Sequence, residues 1–157
     1  LRIPGHSILR AVFPIACGLA LAPRRGGGVV MGLAAATTCL GMQGIQTLGG
    51  FPRPWGSLGV GALTSLISTG VLLDITLRRA RAGWRLWGGF AAAGLGANLL
   101  AFTVRGAAKA AGGGGAPLSG WLQIAPWSYA ACGLAAGLVS GMIWFSAHGA
   151  PRGEARD

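Results

Sequence analysis

Apolar residues fill five long stretches of the chain, roughly 7–23, 28–48, 57–76, 84–104 and 125–147, and charge is nearly confined to the gaps between them. A bilayer crossing needs about 20 apolar residues in succession. Backbone N–H and C=O groups in lipid have no water to bond, so each stretch is predicted to satisfy its own hydrogen bonds as an α-helix. The expected fold class is an all-α membrane protein. Residues 1–157 form a single integral membrane domain, a bundle of five transmembrane helices that reads as a six-helix bundle lacking its first helix.

Small residues recur every four positions within the stretches. Gly133, Gly137 and Gly141 form one ridge, Gly88, Ala92 and Gly96 a second, and Gly32 with Ala36 a third. Lipid gives helices no hydrophobic reason to associate, and small residues let their backbones approach closely. Such ridges serve either packing inside the bundle or docking of a partner protein, and spacing alone leaves both open. The segment Ala110–Pro117 (AAGGGGAP) is predicted to be a connector, because four consecutive glycines carry a large ordering cost.

Composition sharpens the membrane reading. Of the 157 residues, 52% are hydrophobic and 10% charged, and the mean hydropathy is +0.58. That leaves too little polar surface to cover a soluble globule. A net charge of +10 would suit nucleic acid in a soluble protein, but here the arginines stand at span ends rather than along one face. Five basic residues fall on one side of the predicted membrane and eight on the other. The richer side carries Arg24, Arg25, Arg78, Arg79, Arg81 and Arg85, and the positive-inside rule assigns it to the cytoplasm. Residue 1 is then expected outside and the tail inside, and one further upstream helix would bring both ends inside. Trp55, Trp121 and Trp127 are expected near the outer interface and Trp84, Trp87 and Trp144 near the inner one, where indole rings prefer to sit.

Candidates for catalysis are few. Asp74 is the only acid before Glu154 and Asp157 in the tail, and His6 and His148 are predicted on opposite membrane faces. There is no carboxylate pair for acid–base hydrolysis and no GxSxG, HExxH or P-loop pattern. The chain is therefore expected not to be an enzyme, and to hold no metal or cofactor. Cys17, Cys39 and Cys132 all lie within spans, where small apolar packing is the ordinary use of a free thiol. Asp74 is expected to pair with Arg78 one helical turn on. Alternatively, Asp74 and Arg78 contact a partner, together with the Gly133–Gly137–Gly141 ridge.

Polar residues near the outer halves of the spans are more suggestive. Gln43, Gln46 and Thr47 end the second span, Asn98 lies in the fourth, and Gln123 and Tyr129 open the fifth. Buried amides need partners. They either bond between helices or line an outward-facing cavity for a small polar solute, with His6, Arg53, Trp55 and Trp121 at its rim. The candidate substrate-binding set is His6, Gln43, Gln46, Asn98, Trp121, Gln123 and Trp127.

Residues 3–32, IPGHSILRAVFPIACGLALAPRRGGGVVMG, place a PGH loop before an apolar helix, then a Pro-Arg-Arg-Gly turn and a small-residue helix. Residues 58–74, LGVGALTSLISTGVLLD, end an apolar span on an acid. Together these stretches, under half the chain, resemble the substrate-binding S component of energy-coupling factor (ECF) transporters. The resemblance implies a six-helix bundle with both ends cytoplasmic, which captures vitamins or metal ions outside a bacterial cytoplasmic membrane. It also implies partners: a transmembrane coupling protein and two ATPases. One departure stands out. The family's first helix, with its small-residue motif for the coupling protein, is not in this chain, and the N-terminal histidine of metal-binding members would likewise fall upstream of residue 1. Residues 1–8 would then be the outer loop after that helix. The competing expectation is a non-catalytic structural or assembly subunit of a membrane complex, whose Gly/Ala ridges are its working surface.

Overall fold

A computed structural model describes residues 6–21, 23–50, 59–79, 83–112 and 117–148. Among them every regular element is a helix: α1 (Ser7–Leu21), α2 (Gly27–Leu48), α3 (Val60–Arg79), α4 (Gly83–Ala111) and α5 (Pro117–His148). The helices run alternately up and down as an antiparallel bundle. The 23–26 turn, the end of α3, the start of α4 and the end of α5 share one end, which carries Arg24, Arg25, Arg78, Arg79 and Arg85. The far end holds His6, the end of α2, the start of α3 and the α4–α5 connection.

α2, α3, α4 and α5 are long and apolar enough to cross a membrane, and they mark an integral membrane protein. α1 is the shortest of the five: its 15 described residues rise about 22 Å at 1.5 Å per residue. Its described residues end at Leu21, two positions ahead of Pro23. α1 packs one face against α5, α3 and α2, while Leu9 and Phe13 on its other side are exposed. Ile8, Val12, Ile15 and Leu19 recur at helical spacing on its inner face and are all buried.

The last two helices exceed the predicted spans. α4 runs on to Ala111 through the helix-favouring AAKAA segment and stops at Gly112, whose N–H bonds to the Ala108 carbonyl at 3.1 Å. α5 begins at Pro117 and passes through Pro126 over 32 residues. Proline is well placed at a helix start, where its missing N–H costs nothing. At about 44 and 48 Å, both helices are longer than the hydrocarbon core is thick.

Glycine sets how closely the helices approach. Gly94 of α4 lies against the backbone of Gly133 and Gly137, and Gly137 in turn abuts the Phe90 carbonyl. On the other side of the bundle Gly28 of α2 meets Gly70 of α3, and Gly32 meets the Leu66 carbonyl. The ridge Gly133–Gly137–Gly141 is therefore closed by α4 within this chain: Gly141 packs on the Trp87 ring, and Trp87 stacks on Phe145 with centroids 5.0 Å apart. These three glycines do not present a free docking ridge. Gly88 and Ala92 of the second ridge are exposed.

Candidate functional site

At the arginine-rich end, local chemistry leaves a debt that a distant residue settles. The chain turns into α2 through Pro23-Arg24-Arg25-Gly26. Gly26 adopts φ 84°, a left-handed conformation open to glycine at little cost. It brings no side chain to cap the first N–H groups of α2, which have no partner inside the helix. Asp74 supplies the cap from α3. One carboxylate oxygen accepts from the Gly28 N–H at 3.2 Å and the other from the Val29 N–H at 3.0 Å. Asp74 is 4% exposed, and its negative charge faces the positive end of the α2 dipole. The expected Asp74–Arg78 pair is thereby replaced: two aligned amides take the carboxylate, and Arg78 turns outward, exposed.

Toward the far half, the interior becomes polar at one depth. Asn98 of α4 is fully buried and donates its side-chain N–H to the Tyr129 carbonyl of α5 at 2.7 Å. The Tyr129 hydroxyl accepts from Arg105 at 3.3 Å. The Tyr129 ring lies within a cluster with Phe102 and Trp121, in which Phe102 and Trp121 stack at 5.2 Å. The Lys109 ammonium stands 5.5 Å above the Trp121 ring, close enough for a cation–π attraction. On α3, the Ser68 hydroxyl reaches the Thr64 carbonyl at 2.6 Å and lies 3.4 Å from the Ala97 carbonyl of α4.

Ser65 and Thr69 complete this layer and behave differently from the other helical hydroxyls. Thr37, Thr47, Thr64 and Ser140 each donate to the carbonyl one turn back, the usual way a hydroxyl is satisfied inside a helix. Ser65 and Thr69, 0% and 1% exposed, have hydroxyls with no hydrogen-bond partner among the described residues. A buried hydroxyl left unbonded costs about 1–3 kcal/mol. Two such groups, one helical turn apart on one face of α3, are a local defect in a helix that otherwise satisfies its polar groups.

The predicted substrate set is divided. Asn98 and Trp121 join the buried layer. His6 is half-buried at the far end, where its carbonyl accepts from the Leu9 N–H at 3.1 Å. Gln43 and Gln46 are half-buried on the far half of α2, and the Gln43 side-chain nitrogen is shielded without a partner among the described residues. Gln123 is exposed and Trp127 is 79% exposed, so both face outward from α5 rather than into the bundle. Arg53 and Trp55 lie outside the described residues. Sequence reasoning missed Ser65 and Thr69, because a serine or threonine in an apolar helix usually bonds to its own backbone. The available signal was their spacing of four, which gives them one face.

No family model matches this chain, and no curated protein or solved structure matches it.

Proposed function

We propose that the chain is a substrate-capture membrane subunit of an ECF-type uptake transporter, binding a small polar solute in the far half of its bundle. Two buried α3 hydroxyls, those of Ser65 and Thr69, carry this proposal. Polar groups inside a membrane bundle are expensive, and those that face the interior mark solute pathways. A solute with hydrogen-bonding groups would satisfy both hydroxyls, while the Asn98–Tyr129 link fastens α4 to α5 nearby. Trp121 and Tyr129 add aromatic faces, and Arg105 and Lys109 add positive charge at that end. The likeness of residues 3–32 and 58–74 to S components supplies the transporter class. The arginine-rich end would face the cytoplasm and the coupling machinery.

Co-expression of the full chain with an ECF coupling protein and its two ATPases tests the assignment. Purification on a tag carried by this chain is expected to recover all four subunits in constant proportion. A chain that purifies without them, under conditions where an authentic S component assembles, overturns the ECF assignment and favours the structural-subunit alternative.

A further inference from the structure

The arginine-rich end holds a second site of a different kind. A cavity of about 490 Å³ opens among the α1–α2 turn, the end of α3, the start of α4 and the end of α5. Pro23, Leu77, Leu86 and Trp144 give it an apolar lining, and Asp74 also lines it. Arg24, Arg25 and Arg78 line it and are exposed. Asp74 is the only acid among the described residues, and both its oxygens are already held by the α2 amides. The three guanidinium groups therefore have no carboxylate partner among the described residues, and they leave the cavity with a net positive charge. Arg79 and Arg85 stand over a second groove of about 370 Å³ between α3 and α4, so the positive field extends around this end of the bundle.

Depth identifies what this cavity meets. Trp84, in the first turn of α4, is 88% exposed, and an exposed indole beside a run of apolar helix sits at the headgroup level. An opening lined by arginine and apolar side chains at that level matches a phosphodiester with the first carbons of its acyl chains. Guanidinium forks bind phosphate oxygens in bidentate fashion, and basic pockets between membrane helices recruit anionic headgroups.

We infer that this cavity binds the phosphate headgroup of an anionic phospholipid, clamped by Arg24, Arg25 and Arg78. The bound lipid would tie the α1–α2 turn to the end of α3, across the same joint that Asp74 closes from inside.

Native mass spectrometry of the full chain in neutral detergent tests this, with phosphatidylglycerol, phosphatidylcholine and inorganic phosphate as probes. Phosphatidylglycerol is expected to bind preferentially over phosphatidylcholine. An interfacial arginine contributes about fivefold in affinity, so Arg24→Gln with Arg78→Gln should weaken phosphatidylglycerol binding roughly 25-fold. Lys109→Gln, which removes one positive charge at the far end, should leave it unchanged. The melting temperature of each variant, read alongside, separates lost binding from lost folding. Equal binding of the two lipids, or retention by the double arginine variant, overturns the inference. So does displacement of the lipid by millimolar inorganic phosphate, which would make the cavity a site for the free anion.

Discussion

The α4–α5 seam and the α2–α3 seam are made by the same device, backbone against backbone at glycine, yet they are fastened differently. Close contacts along α4–α5 run from Gly141 on Trp87, through Gly94 on Gly133, to the Asn98–Tyr129 hydrogen bond and Gly106 on Trp121. The α2–α3 seam is tight only where Gly28 and Gly32 meet Gly70 and Leu66, and Ala36, Cys39, Leu63 and Leu66 continue it a turn further. Further along, Gly41 and Gly44 lie on the exposed face of α2, where an added Cβ would meet open space. One seam is held along its length. The other is held at the arginine-rich end, where Asp74 adds two charge-assisted hydrogen bonds that α4–α5 has no need of. The half of α2 bearing Gln43 and Gln46 makes no glycine-to-backbone contact with α3.

Breaking the continuous seam should cost most. Gly94→Val would drive two methyl groups into the Gly133 backbone, and overpacking of this kind costs about 3 kcal/mol. Thermal unfolding in detergent should show the largest loss of the set, and a melt within a degree of wild type would show that the seam is not close-packed. Asp74→Ala ranks next. It strands the Gly28 and Val29 N–H groups in a buried place, a loss of about 2–3 kcal/mol given the strength of hydrogen bonds to charged acceptors. Asp74→Asn keeps one acceptor oxygen and should recover part of that loss. If Asp74→Ala melts like wild type, the cap is not what fastens α2. The smallest effect belongs to the far half of α2. Gly41→Ala with Gly44→Ala fills no occupied space and adds helix propensity, about 0.5–1 kcal/mol per site, so the double variant should melt at or slightly above wild type. A clear loss there would place an unseen contact on that face of α2.

How far the sequence could be read follows from which forces are local. The second span, read at 28–48, matches α2 at Gly27–Leu48, because length and hydropathy decide where a membrane helix runs. The Pro-Arg-Arg-Gly turn and the stop at the glycine run were equally local. The Asp74 cap was not, since its partners lie 45 and 46 residues away and only the fold brings them together. Rotation about the axis was hidden too. α5 is apolar all round, so nothing in its pattern said that Tyr129 faces inward and Trp127 outward. For the same reason the ridge Gly133–Gly137–Gly141 was visible as a ridge, while its neighbour, α4, was not. Ser65 and Thr69 escaped notice because only the three-dimensional arrangement shows which hydroxyls forgo their own helix carbonyls.

The central claim is that the far-half polar layer holds a solute, and it is tested most directly by what the protein carries. The full chain, purified in mild detergent and then denatured, should release a small polar molecule approaching one per chain, measured by quantitative mass spectrometry. Ser65→Ala with Thr69→Val removes two unbonded hydroxyls at nearly constant volume, so the melting temperature of the solute-free protein should hold or rise. Two hydrogen bonds of about 1 kcal/mol each correspond to a loss of retained solute of roughly tenfold or more. Equal release from wild type and the double variant, or no molecule released from the wild type, would contradict the account.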